Sequence, residues 1–171
     1  MKNLNMLMAL ILLLCAAFFA MPLAMASEES MGLVNESQMD AYNTTELVSF
    51  VESAVAYAHE NGKEKALDEF SNKTGSFVQG KLYIYAYDFN GTNIAHPFKS
   101  DWIGKNKINQ TDSNGVCYIK NLIQVAKEGK GFTYFIFPNP SHDNRDEFKI
   151  GYAMKVDDTW WLGSGIYVSC P

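Results

Sequence analysis

One histidine, one lysine and a set of aromatic rings hold the side chains best suited to chemistry in this chain. His96 closes the stretch YIYAYDFNGTNIAHP, residues 83–97. A hairpin there needs the Asn90-Gly91 pair for its turn, but it needs no histidine at its far end. Tyr83, Tyr85 and Tyr87 alternate along the first strand of that hairpin. Trp102, Lys105 and Tyr118 follow in the next segment, and Lys149 and Tyr152 stand in a later apolar run. Aromatic walls with one or two cationic donors suit a small carboxylate, because the rings exclude water and the donors bind its oxygens. The competing reading is plain packing. His96 can cap a turn or sit hydrogen-bonded in a core, and with aromatics at 13% of the chain most strand tyrosines are core residues. Lys149 and Lys155 share strand parity, so either can equally be solvated.

Other chemistries lack their residues. No Gly-x-Ser-x-Gly elbow occurs, and Gly163-Ser164-Gly165 falls inside the last strand, where it reads as tight packing. His59, His96 and His142 lack zinc-site spacing, and the acidic loop at Asp143, Asp146 and Glu147 lacks a calcium-loop pattern. There is no glycine-rich phosphate cradle. We therefore expect no catalytic residues, no metal and no cofactor. A net charge of −5 without a basic cluster argues against nucleic acid but not against a small anion, which one local cation can hold.

The elements that must position these residues follow from periodicity. Leu47, Phe50, Val51, Ala54, Val55 and Ala58 form one apolar stripe, which predicts a long helix ended by Asn61-Gly62. Asn43 and Glu46 resemble a capping pair at its start. A shorter helix is predicted over Lys63 to Ser71, with Ala66, Leu67 and Phe70 inward. From Phe77 the period drops to two. Lys81 to Asp88 and Thr92 to His96 form a hairpin, and a connector runs from Pro97 to Gly131. The connector holds one helix pattern, Ile119, Leu122, Ile123 and Ala126. Strands are predicted over Phe132 to Phe137, Phe148 to Val156 and Thr159 to Val168. The expected class is α+β, with a mostly antiparallel five-stranded sheet. Leu82, Ile84 and Ala86 oppose the three tyrosines, so both faces of the sheet need a cover. The N-terminal helix suits one face, and the connector is the segment left for the other. A long connector folded over a sheet often encloses a site.

Lys2, the apolar run from Met6 to Phe19 and Ala24-Met25-Ala26 read as a secretory signal cut before Ser27, with an uncleaved membrane anchor as the alternative. The expected organisation is that segment over residues 1–26, a flexible stretch over 27–43, one domain over 44–168 and a tail over 169–171. Export permits a disulfide between Cys117 and Cys170, with two buried thiols as the alternative. Asn-x-Ser/Thr sequons begin at Asn35, Asn43, Asn72, Asn90 and Asn109, although a chain rich in Asn and Thr makes many by chance.

The stretches "YIYAYDFNGTNIAHPFKSDWIGKN", "GKGFTYFIFPNP" and "FKIGYAMKVDDTWWLGSGIY" resemble, in this order, the single Cache sensor domains. These are extracytoplasmic, PAS-like domains of chemoreceptors and sensor kinases. The resemblance runs from Thr45 to Tyr167 and makes the domain over 44–168 a single Cache domain. It implies a PAS-like five-stranded sheet with a long N-terminal helix on one face and the helix-containing connector on the other. It also implies a pocket between sheet and connector for a small organic acid such as acetate, propionate or pyruvate. It turns His96 into a pocket residue, ranks Lys149 and Tyr152 above the other strand residues, and leaves Tyr85, Trp102 and Tyr118 as further ligand contacts. The expected function is an extracytoplasmic binding domain, secreted or at the cell surface. It acts alone or through a separate signalling partner, because no kinase or methyl-accepting region follows the last strand. A ligand-free surface module is the alternative. A small hydrolase would need a nucleophile or metal beside a base, and neither occurs at recognisable spacing.

Overall fold

In the computed structural model, which describes residues 44–168, the predicted stripe forms α1 (Thr44–Asn61), with Leu47, Phe50, Val51, Ala54, Val55 and Ala58 all buried. The signal segment, the 27–43 stretch, the Asn43 cap and Cys170 lie outside the described residues. Gly62, at a φ of 82°, stops α1 in the left-handed conformation that glycine adopts without strain. Then α2 (Lys63–Ser71) buries Ala66 and Phe70 and half-buries Leu67.

The first predicted strand is two. β1 (Val78–Gln79) pairs with β2 (Leu82–Tyr83) as a small antiparallel ribbon. At Ile84, whose N–H donates to Phe77 O over 3.2 Å, the chain leaves that ribbon and enters the main sheet as β3 (Tyr85–Asp88). β4 (Asn93–Ala95) returns from the Asn90-Gly91 turn. Asp88 Oδ1 accepts the N–H groups of Asn90 and Thr92 and holds that turn closed. Gly91 is required twice over. Its φ is 87°, and a Cβ there would lie 2.7 Å from Ile108 Cβ.

After a 3-10 turn at Ser100–Trp102 and a run of irregular turns, α3 (Tyr118–Lys127) leads into β5 (Lys130–Asn139), β6 (Arg145–Lys155) and β7 (Trp160–Val168). The five-stranded sheet has the order β4-β3-β7-β6-β5, antiparallel throughout. β5 continues through Pro138 instead of stopping at Phe137. It is an edge strand, where a missing backbone N–H is tolerated. Its exposed edge is managed by the connector. Asp112 Oδ2 accepts the Ile136 N–H at 2.9 Å, while Oδ1 accepts the N–H groups of Asn114 and Val116.

Strand alternation sorts the core into two layers. Leu82, Ile84, Ala86, Tyr152, Trp160 and Leu162 pack under α1 and α2. Tyr83, Tyr85, Tyr87, Phe135, Phe137 and Trp161 face the other way, beneath Ile119, Leu122 and Ala126 of α3. The long helix and the connector are thus the two covers that the alternation demanded.

Candidate ligand-binding site

Lys149 lies mid-way along β6 on the α3 side of the sheet, 1% exposed. Its Nζ donates to Tyr83 Oη at 2.8 Å and more weakly to Tyr167 Oη at 3.4 Å. Tyr167 Oη in turn donates to Pro138 O at 2.9 Å. The ammonium sits 4.2 Å from the centre of the Tyr83 ring, 4.6 Å from Tyr167 and 5.3 Å from Phe137. No carboxylate reaches it among the described residues. Burial alone pulls its pKa from the usual lysine value to about 7. Its stem has room because the neighbouring strand carries glycine. A Cβ on Gly165 would lie 2.7 Å from Lys149 Cε and 2.7 Å from Ile150 O. The backbone oxygen cannot give way, so Gly165→Ala is expected to cost about 1–3 kcal/mol in a urea titration and to displace the ammonium.

His96 follows β4 directly and is 3% exposed. Its Nδ1 accepts the Phe98 N–H at 3.1 Å, so the neutral ring carries its proton on Nε2. The ring packs 5.4 Å from Tyr83 and stacks 6.4 Å from Tyr85. Burial first, then the charges of Lys149 and Lys99, hold its pKa down to about 3. His96 is therefore both a turn cap and a wall of the pocket, and its Nε2–H makes no hydrogen bond among the described residues.

Tyr118 opens α3, stacked 5.0 Å from Phe135, and its buried hydroxyl has no hydrogen-bond partner among the described residues. Tyr85 Oη donates to Ser164 O at 3.2 Å. Burial keeps the hydroxyls of Tyr83, Tyr85 and Tyr118 well above the ordinary tyrosine range, so they remain neutral donors. Tyr83, Tyr85, His96, Tyr118, Phe137 and Lys149 converge on one chamber. The space open to the centre of a water-sized sphere is about 10 Å³, room for roughly one water. The side chains of Lys149, His96 and Tyr118 thus border one nearly filled space, to which they turn apolar surface.

A family model, the single Cache domain 2, matches residues 34–169. The chain belongs to this family. Among curated proteins, the sensor histidine kinase MctS of Rhizobium johnstonii is 33% identical over 87 residues, which is 50% of this chain and 19% of that protein. The chain therefore spans about a fifth of that relative's length. The crystal structure of a methyl-accepting chemotaxis protein from Vibrio parahaemolyticus superposes with a TM-score of 0.68 at 29% identity, covering 78% of this chain and 93% of that one. A Cache chemosensory domain described for carboxylic acid recognition gives 0.56 at 23% identity over 78% and 92% of the two chains, a likeness of fold. The resemblance read from the ordered motifs and the PAS-like α+β architecture both hold.

Within this Cache domain the predicted site residues divide. His96, Lys149, Tyr85 and Tyr118 come together around the chamber. Tyr152 does not: it lies on the opposite face, 4.8 Å from Phe132 in the layer under α1. The reason is parity, since a residue three positions from Lys149 along a strand points the other way. Trp102 stands beside the chamber without lining it, edge-on to His96 and to Phe137, each at 6.1 Å. Tyr83, Phe137 and Tyr167, beyond the predicted contacts, also surround the ammonium. Tyr83 shares parity with Tyr85 and was within reach of the pattern. Tyr167 meets Lys149 only through cross-strand register. Cys117 precedes α3, half-buried, and its expected partner Cys170 lies outside the described residues. Among the described residues no group of His, Cys, Asp or Glu is placed to hold a metal, and no helix is long and apolar enough to cross a membrane.

Proposed function

We propose that this Cache domain is an extracytoplasmic sensor-type module that binds a short organic acid such as acetate, propionate or pyruvate. The observation that carries the reading is the Lys149 ammonium, buried among rings with no carboxylate of the described residues in reach. A buried charge without a counter-ion is costly, and an anionic guest would supply the missing partner. The guest's carboxylate would accept from Lys149 Nζ, from the stranded Tyr118 hydroxyl and from His96 Nε2–H, while the rings exclude water. Likeness to a sensor histidine kinase and to a methyl-accepting chemotaxis protein supports reading the bound acid as a signal passed to a kinase or chemotaxis partner. The Met6 to Ala26 apolar run supports an extracytoplasmic location.

The narrow chamber favours a second reading, a surface interaction module with no ligand. Even acetate exceeds the room of one water, so an acid binds only if side chains yield. A melting screen separates the two. Acetate, propionate, pyruvate and butyrate are compared with amines of matching size. An acid at a hundred times its dissociation constant adds about 2.7 kcal/mol of stability, which for a domain of this size is a shift of several degrees. Equal, flat melting curves for acids and amines would leave the ligand-free module standing.

A further inference from the structure

Five Asn-x-Ser/Thr triplets occur in the chain, and the acid-binding reading uses none of them. Composition does not account for their number. Seven threonines lie between Ser27 and Pro171, and four of these, Thr45, Thr74, Thr92 and Thr111, stand two residues after an asparagine. With twelve asparagines in the same stretch, random placement puts a threonine there about one time in twelve. The fold then separates these asparagines from others. Asn72, Asn90 and Asn109, the three within the described residues, are all exposed, and none lies inside a helix or strand. None of their side-chain nitrogens makes a hydrogen bond among the described residues. By contrast, Asn61, Asn93, Asn106 and Asn139 donate Nδ2 to Tyr57 O, Ala86 O, Asn90 O and the Glu147 carboxylate. Asn139 shows the difference best. Ser141 stands two residues after it, but Pro140 intervenes and the amide is buried, 1% exposed.

Asn72 follows the last turn of α2, and the threonine of its own triplet holds its amide. The Thr74 N–H and hydroxyl donate to Asn72 Oδ1 at 3.0 and 3.1 Å, so the carbonyl end is engaged and the nitrogen is left over. At Asn90 the backbone alone carries the turn. Its N–H donates to Asp88 Oδ1 and its carbonyl accepts from Asn106 Nδ2 at 2.8 Å. Asn109 follows Ile108, which lies against Gly91, and the Lys107 N–H donates to Gly91 O at 2.8 Å. Asn90 and Asn109 therefore share one corner of the fold. We propose that Asn72, Asn90 and Asn109 carry N-linked saccharides, transferred at the outer face of the membrane from a sugar held on a lipid through phosphate. Nδ2 bonds to the anomeric carbon of the sugar, and the bond from that carbon to the phosphate oxygen breaks. The lipid phosphate leaves with the electron pair, and the nitrogen releases one proton to solvent. Each triplet supplies the hydroxyl two residues on, with no proline between. Exposed turns accept a bulky saccharide without displacing protein atoms. The proposal rests on the extracytoplasmic location and is independent of the acid site.

Peptide mass spectrometry of the full chain, recovered from the organism that makes it, tests this. The expected result is a saccharide mass on each of the peptides holding Asn72, Asn90 and Asn109, and none on Asn61, Asn93, Asn106 or Asn139. Thr74→Ser is expected to keep the saccharide on Asn72, and Thr74→Val to lose it at that site alone. Free sugar that attaches to lysines would not produce this contrast. Protease added to intact cells reports on which side of the membrane the chain lies. Unmodified peptides at all three sites, from a chain that the protease reaches, overturn the proposal and keep the extracytoplasmic location. Unmodified peptides from a chain shielded inside the cell reject both. An unmodified peptide at one site rejects the saccharide there, and sugar on Asn72 that survives Thr74→Val rejects recognition of the triplet.

Discussion

Lys149→Met is expected to abolish the response to organic acids while leaving the folded domain as stable as the wild type or more so. Two effects oppose each other at this position. Four rings, those of Tyr83, Tyr167, Phe137 and Tyr85, lie 4.2 to 5.8 Å from the ammonium, and each contact contributes on the order of 0.5–2 kcal/mol. Against them stands the loss of water around the charge. That loss lowers the lysine pKa to about 7, which is roughly 5 kcal/mol against the charged form and comparable to the ring contacts together. Methionine keeps the length of the stem and removes the charge. It strands no hydroxyl, because Tyr83 and Tyr167 remain 3.3 Å apart and Tyr167 still donates to Pro138 O. Urea unfolding should therefore give an unchanged or higher midpoint, and calorimetric titration should lose acid binding by about a hundredfold or more. A variant that still binds acids with wild-type affinity would remove Lys149 from the site. One that unfolds would make the lysine structural.

The affinity for an acid is expected to be flat from about pH 6 to 7 and to fall about tenfold for each pH unit above 7. In the free domain Lys149 gives up its proton near pH 7, and a bound carboxylate raises that pKa again. Above pH 7 binding must therefore take up a proton, and this linkage sets the slope. The other groups facing the ammonium do not interfere in this window. His96 stays neutral down to about pH 3, and the hydroxyls of Tyr83, Tyr85, Tyr118 and Tyr167 are all raised by burial and stay protonated. The same shift gives the ligand-free domain its own pH dependence. Between about pH 7 and the ordinary lysine range, the unfolded chain holds a proton on residue 149 that the folded chain has lost. Stability without ligand should thus rise with pH from 7 until tyrosines begin to ionise in the unfolded chain near pH 10. Titrations in two buffers of different ionisation enthalpy measure the proton uptake directly. An affinity unchanged from pH 6 to pH 9, with no proton exchanged, would show that the ammonium does not hold the acid.

Local pattern carried most of the architecture. A three-and-four stripe from Leu47 to Ala58 can bury only one side of a helix. The alternation of Leu82, Ile84 and Ala86 with Tyr83, Tyr85 and Tyr87 can only place these groups on opposite faces. Two apolar faces require two covers, and one helix and one long connector were there to provide them. The ordered motifs then named the family, and His96 stood out because a hairpin has no use for it.

Pairing and charge balance are long-range, and they were settled only in three dimensions. No periodicity told that the strand ahead of Asp88 breaks at Ile84 to serve two sheets, since each half is extended and only its neighbours differ. Pro138 stays in a strand because that strand is an edge. Tyr152 was placed by likeness when its parity with Lys149 already sent it to the other face. The state of Lys149 itself was beyond local reading. Whether a strand lysine is solvated or buried depends on Gly165 across the sheet leaving room for its stem, on the Tyr83 and Tyr167 hydroxyls meeting it, and on no carboxylate arriving from the other described elements. Those groups come from separate strands, and only the folded register makes them neighbours.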